Sequence, residues 1–126
     1  MNYIKKTQKN IYVDEIKLSI KLVKYLDSLL LSQLCTMEGR INAIKCKYKF
    51  IKLTPIYINE SICLIPLQSF SSITNLFINI KEILDIKKYD NRTLIIFKDN
   101  KRIIVDKTYK SFKENYKKAS MITIQY

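Results

Sequence analysis

The chain has 126 residues, of which 48% are hydrophobic and 27% are charged, and this composition is typical of one globular domain rather than of a disordered segment. Its formal net charge is +12, which indicates a polyanion as partner, either nucleic acid or an anionic surface. Part of the charge has another source. The sequence has 20 lysines, 22 isoleucines and 9 asparagines but only 3 arginines, and this is the codon bias expected at neutral positions in an AT-rich genome.

No residue pattern predicts an enzyme, a metal site or a cofactor. The sequence has no histidine, so the usual general base and the commonest metal ligand are missing. It also has no glycine-rich phosphate loop and no nucleophile elbow. Cys35, Cys46 and Cys63 form no C-x-x-C pair, and we expect them to be buried free thiols in a reducing cytosol.

The hydrophobic runs are short. The longest leucine run, residues 29–31, is far below the length of a membrane span, and the N-terminus lacks the pattern of a signal peptide. We therefore expect a soluble, cytoplasmic protein with no membrane partner and no small-molecule substrate.

The N-terminal third predicts an arm followed by a helix. We expect residues 1–10 to be a mobile basic arm and residues 11–13 to be a short edge strand. Apolar residues at helical spacing then predict a helix over about 15–34, although its first turns could instead be a strand. Asp14 and Glu15 stand at the front of this helix, where negative charge suits the helix dipole.

The segment 36–52 has two competing periodicities. Its tail, residues 44–50, alternates lysines with other side chains as a strand does. In the wider window, helical spacing places one apolar face on Met37, Ile41, Ile44, Tyr48 and Ile51. Thr36 is a suitable N-cap for such a helix. We prefer the helix because it accounts for the longer stretch, and the strand stays open as an alternative.

The rest of the chain predicts mainly antiparallel strands. Pro55 is expected to end the helix before it, and residues 68–75 read as a loop. The predicted strands are 56–58, 62–65, 76–80, 83–89, 93–97 and 102–105, followed by a helix at about 107–119 and an edge strand at 121–124. Asp-Asn pairs at 90–91 and 99–100 are typical of two-residue hairpin turns and make the last strands a meander.

The predicted fold class is therefore α+β. We expect a single domain in which an N-terminal helical hairpin is followed by a mainly antiparallel sheet, with the meander, and then by a C-terminal helix.

Several residues carry a family resemblance through their order and approximate spacing. They are Glu38-Gly39-Arg40 after a helix, the pair Pro55-Ile56, an apolar strand ending in Pro66, the step Phe77-Ile78-Asn79, and the stretch from Thr108 to Asn115. Over about residues 21–119 the chain resembles the ComK family of competence transcription factors, although Phe77 stands where that family usually has tryptophan.

The resemblance implies a division of the chain and a function. The expected parts are a basic arm with an abbreviated N-terminal element (1–20), a ComK-like DNA-binding domain (21–119) and a short C-terminal tail (120–126). The implied function is activation of DNA-uptake genes by binding AT-rich double-stranded DNA through the minor groove, as a homo-oligomer (a dimer or a pair of dimers). One alternative is a LytTR-like DNA-binding regulator, which residues 76–119 also resemble. Another is a small interaction or adaptor protein that does not bind DNA.

The candidate DNA-binding residues begin at Gly39 and Arg40. Narrow AT-rich minor grooves favour an inserted arginine, and a glycine beside it lets the backbone approach closely. The alternative roles are tight helix packing for Gly39 and a surface ion pair for Arg40. The predicted phosphate contacts are Lys45, Lys47, Lys49 and Lys52, with Lys107, Lys110, Lys113 and Lys117 as secondary candidates. The alternative for all of these lysines is a solvated helix face.

Overall fold

The structure is a computed structural model, and it describes residues 1–122. In chain order the elements are β1 (Tyr3–Lys6), β2 (Ile11–Val13), β3 (Ile16–Leu18), α1 (Leu22–Leu30), α2 (Met37–Tyr48), β4 (Ile56–Asn59), β5 (Ile62–Pro66), β6 (Asn75–Asn79), β7 (Ile83–Tyr89), β8 (Arg92–Phe97), β9 (Arg102–Val105) and α3 (Tyr109–Ser120). The predicted α+β class, with mainly antiparallel strands and a C-terminal helix, is confirmed.

The larger sheet has β1 in its interior. Its strand order is β3-β2-β1-β6-β5-β4, and all of its pairs are antiparallel. Ile4 lies opposite Val13 on one side and Phe77 on the other, and both Ile4 and Phe77 are fully buried. The expected mobile basic arm is therefore wrong. Four residues around a single buried isoleucine carry too little periodicity to predict a strand.

The predicted N-terminal helical hairpin is also corrected, because this part of the chain is rich in strands. Asp14 and Glu15 form the turn between β2 and β3, with φ values of 49° and 75°, and α1 begins only at Leu22. The buried side chains of α1 are Leu22, Leu26 and Leu30. Ile16 fitted the helical spacing but lies on the edge strand β3 and is 65% exposed.

The helix predicted in the segment 36–52 is confirmed, and the strand alternative is wrong. The Thr36 hydroxyl caps α2 by accepting from the Gly39 amide at 3.1 Å. The helix ends at Tyr48, well before the proline that was expected to end it. Lys49 adopts a φ of 61°, and its amide donates to the Lys45 carbonyl at 2.9 Å, which closes the last turn.

The smaller sheet is the predicted meander, β7-β8-β9. Tyr89 lies opposite Arg92, so the turn at 90–91 has two residues as predicted, and Asp90 supplies a φ of 53°. The second turn is one residue longer than predicted and spans residues 98–100, because the Phe97 amide donates to the Lys101 carbonyl at 2.9 Å and so pairs these two residues across the hairpin. The predicted edge strand at 121–124 lies partly outside the described residues, and residues 121 and 122 are not in a strand.

The core occupies both faces of the larger sheet. Since side chains alternate between the faces of a strand, Leu64 and Phe77 enter one cluster, whereas Ile65 and Ile78 enter the other. The first face is covered by α1, and the second by α3 and the smaller sheet. Within residues 1–122, no helix combines the length and the apolar character that crossing a membrane requires.

Candidate nucleic-acid interface

Arg40 lies inside the protein. Its side chain is 5% exposed. Nη1 donates to the Tyr57 carbonyl at 2.8 Å, and Nη2 donates to Oε1 of Gln33. The guanidinium thus joins α2 to β4 and to the short 3₁₀ turn after α1. An arginine that enters a DNA groove must present its guanidinium to solvent, so this placement does not fit the expected insertion, and it does not fit a surface ion pair either.

Gly39 is exposed in the first turn of α2. It does not have a positive φ, so its conformational freedom is not what the helix requires. A Cβ at this position would lie 3.2 Å from the Thr36 hydroxyl oxygen, a tight contact with the cap. The glycine therefore leaves room for the cap and leaves the helix backbone open to the surface.

The four predicted lysines of this segment lie at the end of α2 and just beyond it. Lys45, Lys47, Lys49 and Lys52 are all exposed. The ammonium group of Lys47 lies 5.4 Å from the centroid of the Tyr48 ring. A helix C-terminus carries partial negative charge, so cations here also stabilise α2. Any test of DNA binding must separate that structural effect from contact with a ligand.

A cleft brings together lysines that are far apart in sequence. Lys45, Lys52 and Lys107 line an opening of about 610 Å³ whose other walls include Ile41, Leu53, Pro66 and Phe70. We call this opening, with its three lysines, the basic cleft. It joins two of the lysines predicted near α2 to one of the secondary candidates.

Lys118 extends this surface, although sequence reasoning did not select it. Its ammonium group donates to the Lys52 carbonyl at 3.0 Å and lies 5.0 Å from the centroid of the Phe50 ring. The last turn of α3 is thereby held against the segment that follows α2. The sequence feature that could have indicated Lys118 is the pair Lys117-Lys118 in the last turn of the predicted helix.

The lysines predicted on α3 do not form one row with the cleft. Lys110 and Lys117 are exposed. Lys113 is partly buried, and its ammonium group lies 5.9 Å from the Tyr109 ring centroid and 5.6 Å from that of Tyr116. The structure therefore assigns Lys107 to the basic cleft and Lys113 to a separate group of tyrosines.

The end of the β7–β8 hairpin is a basic feature that the sequence prediction missed. The Arg92 guanidinium lies 5.8 Å from the centroid of the Tyr89 ring. Lys88 places its ammonium group 5.7 Å from the centroid of the Tyr109 ring, so the hairpin meets the start of α3. The sequence contains only three arginines, so each of them, including Arg92, could have been selected as a candidate DNA-binding residue.

The described residues that line the basic cleft include no carboxylate. Within the described part of the chain, no salt bridge joins a carboxylate to Lys45, Lys52 or Lys107. The same residues 1–122 contain no cluster of three His, Cys, Asp or Glu side chains that could hold a metal ion. The basic cleft is thus a positively charged surface whose compensation would come from solvent ions or from a ligand.

The similarity of this chain to known proteins is at the level of a family. No curated protein and no solved structure matches it. The family model described as ComK protein matches residues 4–126, nearly the whole chain. The chain therefore belongs to the ComK family, a family of competence transcription factors.

Proposed function

We propose that this protein is a DNA-binding transcriptional activator of competence genes that binds AT-rich promoter duplexes through the minor groove. Membership of the ComK family supports the regulatory role. The single observation that carries the DNA-binding role is the basic cleft, in which lysines from α2, from the segment after it and from the connection just before α3 line one opening. By family analogy the active form is a homo-oligomer.

In this proposal the lysines hold the phosphate backbone. Lys45, Lys52 and Lys107 contact phosphates from within the cleft, and Lys47 and Lys49 contact them from the exposed end of α2. Such contacts supply affinity that is independent of sequence and weakens with salt. Further contacts come from Gly39, which exposes the helix backbone, and from Lys110 and Lys117 on α3. The preference for AT-rich sequence needs another source than Arg40, whose guanidinium is already engaged.

The proposal is tested by gel shift with AT-tract and GC-rich duplexes of equal length across a salt series. We expect tighter binding to the AT tract and a steep loss of affinity with salt. The triple variant Lys45→Gln, Lys52→Gln, Lys107→Gln should reduce the slope of log affinity against log salt by about 3, since each phosphate contact contributes about 0.9. A matched control is Lys17→Gln, Lys21→Gln, Lys24→Gln, which removes the same charge from exposed positions near β3 and α1.

One outcome would remove the proposed function, and another would remove only the basic cleft as its site. A shallow salt slope without AT preference would favour the small interaction or adaptor protein. An equal loss of slope in the control triple would mean that total charge, and not the basic cleft, determines binding. Competition with distamycin, which occupies the minor groove, separates the proposal from a LytTR-like regulator that reads the major groove, because only minor-groove binding should be displaced.

A further inference from the structure

The end of the β7–β8 hairpin is an ordered, solvent-facing ribbon. Residues 87–92, which we call the hairpin tip, are all exposed. The two strands stay paired to the end, with Lys88 opposite Thr93 and Tyr89 opposite Arg92. Asp90 closes the turn with a φ of 53°. The tip is therefore a narrow two-stranded projection rather than a loose loop.

The hairpin tip is rich in cations that have no acidic partner. It carries Lys87, Lys88 and Arg92 against the single carboxylate of Asp90. Within residues 1–122 none of these three cations forms a salt bridge. The Tyr89 ring lies beside the Arg92 guanidinium at 5.8 Å, so the arginine is held against a flat surface while it faces solvent.

The tip also continues into the positive surface of α3. Two ammonium groups lie close to the Tyr109 ring, that of Lys88 at 5.7 Å and that of Lys113 at 5.9 Å from its centroid. The hairpin and the helix thus share one cationic strip around an aromatic ring. A strip of this kind suits a polyanion that runs from the tip toward α3.

Arg92 is chemically distinct from the residues of the basic cleft. Of the three arginines, Arg40 is buried, and the other two, Arg92 and Arg102, are exposed on the smaller sheet. Narrow AT-rich minor grooves attract inserted cationic side chains, and a guanidinium loses its water more easily than an ammonium because it is more weakly hydrated. Lysines in the cleft can hold phosphates, but they carry little information about sequence.

We infer that the hairpin tip is a wing that enters the DNA minor groove, with Arg92 in the groove, Tyr89 supporting its guanidinium, and Lys87 and Lys88 on the flanking phosphates. A minor groove is about 6 Å wide, which admits an extended arginine side chain from a narrow tip. The inference rests on the proposed function and adds the element that reads the sequence. The basic cleft then supplies affinity and the hairpin tip supplies the AT preference.

The test uses the full chain and the same AT-tract and GC-rich duplexes. Arg92→Lys keeps the charge and should reduce the ratio of AT to GC affinity by about tenfold, while the salt slope on the GC-rich duplex stays unchanged. Arg102→Lys is the matched control, because it makes the same change at an exposed position away from the tip, and it should keep the wild-type ratio. Lys87→Gln with Lys88→Gln should weaken both duplexes equally and lower the salt slope by about 2.

The inference and the proposed function fail in different ways. If folded Arg92→Lys, checked by circular dichroism, kept the wild-type AT preference, the hairpin tip would not be the reading element, although the protein would still be an AT-binding regulator. The same conclusion would follow if Arg102→Lys lost the preference and Arg92→Lys did not. If the wild-type protein showed no AT preference at all, the proposed function and the inference would fall together.

Discussion

Arg40 is a buried cation whose hydrogen bonds go to neutral acceptors. Its two hydrogen bonds go to the Tyr57 carbonyl and to the side-chain amide oxygen of Gln33, and within residues 1–122 it has no salt bridge. A buried guanidinium is tolerated only when its donors are satisfied. Arg40 therefore stabilises the junction of α2 with β4, and its removal leaves acceptors without their donor.

We predict that Arg40→Ala lowers the free energy of unfolding by about 2–4 kcal/mol, measured by urea denaturation with circular dichroism. The affinity for DNA per folded molecule should stay near that of the wild type. Lys45→Ala is the matched control on the same helix and should do the opposite, weakening DNA binding with little loss of stability. A stable Arg40→Ala variant that has lost AT preference would show that this arginine reads DNA after all.

Cys63 makes stability depend on pH in the alkaline range. Burial raises the pKa of its thiol to about 12, although nearby Lys81 acts to lower it. In the unfolded chain the thiol ionises from near its ordinary pKa of 9.0. The unfolded state therefore releases a proton that the folded state retains, and this contribution to stability is complete below pH 9 and is lost as pH rises toward 12.

We predict that the free energy of unfolding falls more steeply with pH in the wild type than in Cys63→Ala between about pH 9 and 11. The difference in slope should approach about 1.4 kcal/mol per pH unit. Urea denaturation at several pH values measures it, and the comparison cancels the lysines and tyrosines that titrate in the same range. Parallel slopes in the two proteins would show that the folded thiol ionises normally.

The residue types predicted the chemistry of the candidate site, but they predicted less well where each side chain lies in the structure. Exposure of Lys45, Lys49 and Lys52 followed from their charge. Burial of Arg40 did not, although it follows Met37 by three residues and precedes Ile44 by four, which places it beside the apolar face of α2. Arg92 was overlooked because pairing across the hairpin, rather than the local pattern, sets it beside Tyr89.

At the scale of elements, the helix α2 shows which local signals are reliable. Its start was predictable because Thr36 is a capping residue and the apolar spacing continues from it. Its end was not, because Lys49 adopts a positive φ that lysine rarely favours. The chain has a single glycine, so turns that glycine usually marks are made by other residues and leave no sequence signal.

The reactivity of the exposed Cys46 thiol reports directly on whether α2 contacts DNA. Cys46 lies on α2 between Lys45 and Lys47, so the expectation that this thiol is buried is wrong, whereas Cys63 is buried in β5 as expected. We predict that a saturating AT-rich duplex slows the alkylation of Cys46 by a maleimide several-fold, as measured by mass spectrometry of its peptide. Cys63 should stay unreactive in both conditions and so report that the protein is folded.

High salt provides the control for this protection. It dissociates a complex held by phosphate contacts, and the free rate at Cys46 should then return with the duplex still present. An alkylation rate that DNA does not change, at saturation and low salt, would place the interface away from α2.

At the scale of the whole molecule, the position of β1 makes the N-terminus part of the fold. Removing residues 1–18 would delete three strands of the larger sheet and open the edge of β6, where Phe77 and Ile78 are fully buried. The sequence prediction divides the chain at residue 20, and deletion tests that division. We predict that the deleted protein shows no cooperative thermal unfolding, because it loses the partner of β6.

Lys5→Gln is the control for this deletion, since it changes an exposed side chain of β1 and keeps its pairing. It should unfold close to the wild-type temperature. A cooperative transition in the deleted protein would instead support residues 21–119 as an independent domain.

The same topology explains which parts of the fold the sequence could predict. Hairpins such as β4–β5 and β7–β8 join neighbours in sequence, and turn residues mark them. The pairing of β1 with β6 joins Lys6 to Asn75, and no local periodicity carries information about so distant a partner. Local patterns therefore gave the class and most elements, but not the sheet that β1 completes.

The interior position of β1 also determines when the larger sheet can form during synthesis of the chain. The ribosome makes β1 before its partner β6, which follows some 70 residues later, and at about 5–20 residues per second this interval lasts roughly 3–14 s. A hairpin of β1 and β2 alone is at best marginally stable in water. Each newly made molecule therefore passes seconds with its first strands unprotected, and chaperones and proteases can reach them before the larger sheet closes.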